Sequence, residues 1–353
     1  MHLVGAGVND AGPYELFRLR TLERSMATAT APATTEQLRH IVEMAALAPS
    51  VHNTQPWRFT ATSTGLRLDG DLNRQLGVLD PEGRQLRISC GAALYNARVA
   101  ARAIGLDASV VLLPIGDRSA YLADLRLTVG RPATEQQVEL ATAVLHRHTH
   151  RSGFEDRTVT PDALDRLRRA AEAEGAALRV VTTEDDLLGL EVLLARADAV
   201  EERDARYREE LRRWVRDNPA STDGMPAEAL DVVAGSSLRQ RDFGQVHPAD
   251  LDGTTPKAER PSVVVLATEA DGPHDWLLAG QALAALLLRA AEEGLQAQPL
   301  GQVTDSVASR VALQALLGMV GLPQLVLRIG YAGNQALTPR RPVDEILVDL
   351  TDS

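Results

Sequence analysis

Cysteine occurs once, at Cys90, and lysine once, at Lys257, in a chain of 353 residues. A single cysteine excludes disulfide frameworks and thiolate zinc or iron–sulfur sites, and it suits a reducing compartment. Cys90 lies in the helical run "ISCGAALYNARVAARAIGL", where a small buried apolar side chain is the expected role. Lys257 lies in polar "DGTTPKAER". A P-loop, a kinase strand and a pyridoxal phosphate Schiff base each need a lysine in a defined context, and none is present. Any phosphate must therefore be gripped by arginine, backbone N–H groups or hydroxyls. Long apolar runs are missing too: no uncharged stretch approaches the roughly 18–20 residues of a membrane span. The N-terminus has no basic segment followed by an apolar one, so no signal peptide is expected and a cytoplasmic location is. The net charge is −11 and no basic block stands out, which argues against nucleic acid or an anionic membrane as partner. "GAGVNDAG" lacks dinucleotide-loop spacing, and neither G-x-S-x-G nor H-E-x-x-H occurs.

What is present is a weak internal repeat. "TEQLRHIVEMAA" (35–46) lies over "PDALDRLRRAAE" (161–172) at an offset of 126. Both have the apolar spacing of amphipathic helices. Thr34 with Gln37 forms a capping box, and Thr160 before Pro161 forms an N-cap with proline at the first helical position. "GAALYNARVAARAIGL" (91–106) lies over "GQALAALLLRAAEEGL" (280–295) at an offset of 189, with Gly91 on Gly280. Both read as buried helices stopped by glycine. "LADLRLTVG" (122–130) lies over "LPQLVLRIG" (322–330), and both read as strands. Three blocks in one order imply two copies of an α+β unit, with central mixed sheets flanked by helices. Ala/Leu-rich composition is the competing explanation. Between the first two blocks the second copy carries 63 extra residues (189 − 126). They include one long charged helix, "LLGLEVLLARADAVEERDARYREELRRWVR", and a polar irregular stretch. A lid-like insert at about 183–260 is expected. Residues 1–33 read as an extension or disordered tail, 34–132 as a first half and 133–353 as a second.

"APSVHNTQPWRF" (48–59) crowds Ser50, Asn53, Thr54 and Gln55 before a rigid Gln-Pro-Trp step. It resembles the P-S-x-x-N-x-Q-P-W segment of the FMN-dependent nitroreductase superfamily. "RHTHRSGF" (147–154) is similar to that superfamily's arginine run, and "LRIGYAGNQALTPRRPVDEIL" to its closing strand and basic step. With "DPEGRQLRISCGAALYNAR" added, the chain resembles the Acg branch, in which two nitroreductase-like halves share one chain. The resemblance covers roughly residues 34–350. The first half keeps the P-S-x-x-N turn and the second keeps the arginine run, so the losses are complementary. One FMN per chain, between halves that imitate a dimer within a monomer, is the implied arrangement.

The resemblance implies roles for individual residues. Arg147, Arg151 and one or both of Arg340 and Arg341 are expected on the FMN phosphate, with the Thr149 hydroxyl nearby and the His148 backbone facing the cofactor. Ser50 and Asn53 are expected at the ribityl chain or phosphate, with the Pro49 and Val51 backbone close to the ring. A local Ser or Asx turn is the plainer alternative. Pro299, Leu300 and Gly301 are expected to offer backbone N–H groups to flavin N5. Trp57 is expected in the core. His146, His148 and His150 alternate, so a strand would show them on one face. That opens a metal reading, but no carboxylate partner lies near in sequence; His150 is otherwise expected to face solvent. The expected activity is transfer of hydride or electrons to a small acceptor such as a nitroaromatic or quinone. The alternative is an FMN storage or sequestration protein.

Overall fold

The computed structural model describes residues 33–218, 220–227, 258–333 and 338–348. The expected N-terminal extension through residue 32, and residues 228–257 of the expected insert, lie outside them. The architecture is α+β, with two separate open sheets of five and four strands and a short two-stranded sheet among the described residues.

The first half begins with α1 (Thr35–Ala45), whose start is the expected Thr34–Gln37 capping box. Its apolar face buries Leu38, Ile41, Val42 and Met44. Each such side chain is worth about 1.5–3 kcal/mol when fully buried. Strands β1 (Trp57–Thr62) and β2 (Gly65–Gly70) come next, then α2 (Arg84–Ala103), β3 (Leu106–Leu112) and β4 (Tyr121–Val129). Trp57 is completely buried, as expected of a core residue. Helix α3 (Glu135–His146) then packs into this same core through Ala141, Ala143 and Val144.

The second half repeats the plan. Helix α4 (Pro161–Glu172) starts at the expected Thr160 cap. Next come β5 (Ala177–Val181), the additional helices α5 (Glu184–Glu201) and α6 (Ala205–Arg213), and the short strands β6 (Val215–Arg216) and β7 (Met225–Pro226). After them run β8 (Ser262–Thr268), α7 (Pro273–Glu292), β9 (Gln296–Pro299), α8 (Val307–Leu316) and β10 (Leu322–Gly330). A last short helix, α9 (Val343–Ile346), leads into β11 (Leu347–Val348).

Sheet order carries the repeat more firmly than residue matches could. The first sheet runs β11-β1-β2-β4-β3 and the second β5-β8-β10-β9. With β11 removed, the two orders are the same when each strand is replaced by its counterpart. All those pairings are antiparallel, whereas β11 joins β1 in parallel. The end of the second half thus completes the sheet of the first.

Helices α2 and α7 cross where the two matched glycines meet. A Cβ on Gly91 would lie 2.3 Å from Leu277 O, and one on Gly280 would lie 2.0 Å from Ile88 O. Ile88 and Leu277 are themselves 189 positions apart, as Gly91 and Gly280 are. The contact is therefore reciprocal, as at the two-fold axis of a dimer. Each half also lends its side chain across the axis: Ile88 packs in the second core and Leu277 in the first.

The sheets differ in their cover. In the first, burial alternates along β3 and β4, the pattern of one packed and one solvated face. In the second, β8 is apolar from Val263 to Ala267 because both faces are covered. Val264 and Leu266 meet α4 and α7, while Val263 and Val265 join a cluster with Leu190 and Leu194 of α5 and Leu313 of α8. The expected single long charged helix is thus two helices, split where Asp204 caps α6. Helix α5 is a structural layer on the second sheet, whereas α6, with Trp214, Val215 and Met225, reaches across to the first half. No helix among the described residues is long and apolar enough to cross a membrane.

Candidate functional site

The turn between α1 and β1 is held in a costly conformation. His52, Asn53 and Gln55 all take positive φ, at 45°, 53° and 48°. Non-glycine residues there cost of order 1–3 kcal/mol each and persist only where surrounding contacts fix them. Those contacts are present. Ser50 Oγ accepts from Gln55 N at 3.0 Å, and Ser89 Oγ of α2 accepts from Val51 N at 3.2 Å. Asn53 O accepts from Gly224 N at 3.2 Å, and Asn53 Nδ2 donates to Gly224 O at 2.8 Å. Gln55 Nε2 donates to Thr222 O at 2.8 Å.

The segment 214–226 that supplies these partners is tied down further. Asp223 pairs with Arg74 and Arg216, each at 2.9 Å. Glu210 of α6 accepts from the backbone N–H groups of Val78 and Leu79. Tyr207, Leu211 and Met225 form a small core with Leu76 and Leu79 of the first half. This part of the insert is strapped across the turn.

Two arginines converge on the carbonyl end of α1, and the charge of a third, Arg151, acts on both. Arg147 comes directly after α3 and is buried; its Nη2 donates to Leu47 O at 3.0 Å. Arg340 Nη2 approaches Leu47 O and Ala48 O, both at 3.3 Å, and its Nη1 approaches Asn53 Oδ1 at 3.2 Å. Burial pushes the Arg147 guanidinium down to about 10, helped by the charge of Arg151. Arg151 is pushed down to about 10 by burial alone. Arg340 falls to about 9, through burial first and then repulsion from Arg147 and Arg151. Neither Arg147 nor Arg340 makes an ion pair among the described residues, and Arg147 Nε, Arg147 Nη1 and Arg340 Nε have no hydrogen-bond partner there. Arg147 and Arg340 thus bring like charge together with no carboxylate partner among the described residues, the kind of environment that suits an anion.

The other expected residues divide. Arg341 turns away: its guanidinium pairs with Glu345 at 3.2 Å and donates to Gln55 O, so it does not join the cluster. Thr149 bridges in parallel to Ala297 of β9, and His150 N donates to Ala297 O, so the arginine segment runs beside β9. Buried His148 sits with Nδ1 3.0 Å from His146 O. The three histidines do not share a strand face, because His146 ends α3. Nor does His150 face solvent: it is buried with its ring 4.8 Å from that of Phe154. Pro299 has no N–H to give, and the Leu300 N–H donates to Val326 O at 2.8 Å. Of the three residues expected at flavin N5, Gly301 alone remains a candidate donor. The Val51 N–H goes to Ser89, and Pro49 stays half-buried at the head of the turn.

Sequence reading missed Gly224, Ser89 and the carbonyls of Leu47 and Ala48. A backbone carbonyl leaves no mark in a sequence, and Gly224 lies 171 residues beyond Asn53 with no shared periodicity. Cys90 is buried, with its thiol pushed up by desolvation, which suits packing rather than nucleophilic work.

Residues 29–81 and 144–331 match the family model described as "Nitroreductase family". The chain is 33% identical over 325 residues to a Mycobacterium tuberculosis protein provisionally named NAD(P)H nitroreductase acg, covering 89% of this chain and 96% of that one. A second M. tuberculosis protein, provisionally named NAD(P)H nitroreductase Rv3131, is 32% identical over 331 residues, covering 88% and 91%. A Bacteroides fragilis nitroreductase solved with bound FMN is similar at a TM-score of 0.35 and 15% identity, over 58% of this chain and 94% of its own. The family match, with relatives similar along most of their length, leads to one conclusion: this chain belongs to the nitroreductase family.

Proposed function

We propose that the chain binds one FMN, anchors its phosphate on Arg147, Arg151 and Arg340, and works as a flavin-dependent oxidoreductase. The observation that carries this reading is the convergence of those guanidiniums beside a strained turn. The residues fit the group. A buried donor without a partner costs about 1–3 kcal/mol. Arg147 Nε, Arg147 Nη1 and Arg340 Nε are such donors, and a phosphate dianion would satisfy them with charge-assisted bonds. Thr149 lies on the same segment with a hydroxyl to offer. Ser50 accepts from Gln55 N and keeps its own proton for a ribityl oxygen. The Gly301 N–H is the candidate donor at N5, where a fixed dipole favours the electron-rich form of the ring.

Bound there, FMN would supply hydride or electron transfer through N5 to a small acceptor, such as a nitroaromatic or a quinone. The protein's part is to hold, orient and desolvate. The two nitroreductase-like units, 34–132 and 133–353, would then act as an internal pair in a cytoplasmic monomer. Only one of the two turns is built for a ligand, which supports one flavin per chain.

The test is direct. Purified protein should be yellow and release about one FMN per chain, measured by absorbance after denaturation. Two flavins, or none after reconstitution, would sink the proposal. The strap docked on the turn favours a second reading, in which the site stores FMN and turns over slowly. NADH or NADPH added anaerobically separates the two: repeated bleaching with an acceptor present means an oxidoreductase, while bleaching only by dithionite means storage.

A further inference from the structure

Asn53 belongs to the turn that resembles a cofactor-binding motif, yet its side chain is already engaged within the protein. Nδ2 donates to Gly224 O at 2.8 Å and to Pro339 O at 3.1 Å. Oδ1 faces Arg340 Nη1 at 3.2 Å. An amide offers two N–H donors and one carbonyl oxygen, so both donors are occupied and the oxygen has a partner too. Asn53 is also 5% exposed and held at φ 53°, which fixes where that amide points. Arg340 is also held by Thr338 Oγ1 at 2.6 Å, by Thr338 O and Pro339 O at 3.0 Å, and by Leu47 O and Ala48 O at 3.3 Å; of these partners among the described residues, Asn53 alone brings a side chain from outside the arginine's own segment. The Nε of Arg340 is left without an acceptor among the described residues.

We infer that Asn53 is a positioning residue, which holds Arg340 toward an anion and links that arginine to the strap at Gly224, rather than a ligand of the flavin. The inference rests on the phosphate assignment proposed above. Its consequence is selective. Loss of the amide weakens recognition of the phosphate and leaves the sugar alcohol and ring untouched.

The experiment compares FMN with riboflavin, which lacks the phosphate, by quenching of flavin fluorescence. The variant is Asn53→Gly, since glycine adopts positive φ without cost and removes the amide without adding strain. FMN affinity should fall about ten-fold, the scale of one charge-assisted contact, while riboflavin affinity changes less than about two-fold. In an Arg340→Ala background Asn53→Gly should have no further effect on FMN, the signature of two residues acting as one. Asn53→Asp, which tolerates the left-handed conformation, should weaken FMN more than Asn53→Gly by cancelling the arginine's charge, and should again spare riboflavin. Equal loss of both flavins in either variant, or full additivity with Arg340→Ala, overturns the role of Asn53. If the wild-type chain binds riboflavin as tightly as FMN, the phosphate assignment itself fails. An undiminished preference for FMN in Asn53→Gly defeats only this inference.

Discussion

Two helices that match in sequence and position end in opposite ways. After α4 the chain needs four residues, 173–176, to reach β5. Gly175 takes φ 81°, and Ala176 N returns to Ala171 O at 3.2 Å, a compact glycine stop. After α1 the chain takes eleven residues, 46–56, and places three non-glycine residues at positive φ. Charge differs likewise. The α1 end receives Arg147 and Arg340, which have no carboxylate partner among the described residues. The α4 end carries Glu174, which pairs with Arg98 at 2.5 Å, while Arg98 also donates to Gln281 at 2.9 Å. One copy has become a self-satisfied joint. The other keeps strain and donors with no partner among the described residues. The symmetry of the sheets therefore does not extend to the sites.

The largest effect should come from removing the cluster. Arg147→Ala with Arg151→Ala should cost about 3–6 kcal/mol of FMN binding, at about 1.5–3 for each charged hydrogen bond. Arg98→Ala, on the opposite side of the pseudo-axis, should leave FMN binding unchanged. Calorimetry on the wild type and these variants checks both statements. A loss from Arg98→Ala as large as that from the pair would erase the distinction between the two turns.

The helix crossing should respond in the reverse sense, with the halves alike. Gly91→Ala and Gly280→Ala each drive a methyl into backbone of the opposing helix. Overpacking of this kind costs about 1–3 kcal/mol, and the reciprocal geometry predicts similar losses at both positions. Urea midpoints measure them. A cost at one glycine and none at the other would show that the pseudo-axis is not an energetic one.

Much of this plan was legible from residue patterns. Capping at Thr34 and Thr160, the glycine-stopped helices and the strand pair 122–130 and 322–330 are local features, fixed by neighbours within a few positions. Arg147 and Arg340 were legible through resemblance and lack of lysine. What failed were features set by packing at a distance. The charge pattern of 184–213 does not say that its first part must cover a second sheet face, so one long helix was expected where Asp204 starts another. Arg340 and Arg341 are adjacent and chemically identical; Glu345, one turn further on, and Gln55 O draw the second away. The burial of His150 depends on Phe154 folding back over it.

A smaller effect lies in pH. The folded-state values of Arg147, Arg151 and Arg340 lie at about 10, 10 and 9, below the ordinary arginine range. As pH rises through that range the folded cluster sheds protons, so affinity for an anion should fall. In the ligand-free protein the sign is opposite: above those values, while the unfolded arginines keep their protons, the unfolded chain binds more protons, so this contribution favours folding as pH rises. Inorganic phosphate is the suitable probe, since its charge is constant between about pH 8 and 10. Flat binding across that window would mean that the arginines are not as desolvated as their burial indicates.

The smallest effect should come from Glu174→Gln. Its pair with Arg98 leaves 31% of the arginine and 14% of the glutamate side chain exposed, and partly solvated pairs contribute about 0–1 kcal/mol. Gln281 would still hold Arg98, so the unfolding midpoint should barely move. Flavin stoichiometry is the sharper readout. If the carboxylate alone kept an anion from the α4 end, its removal would raise released FMN above one per chain. The four-residue link argues otherwise: with the helix closed by its own glycine stop, no strained turn and no arginine run converge there. The count should remain one, because backbone length rather than charge is what the second copy gave up.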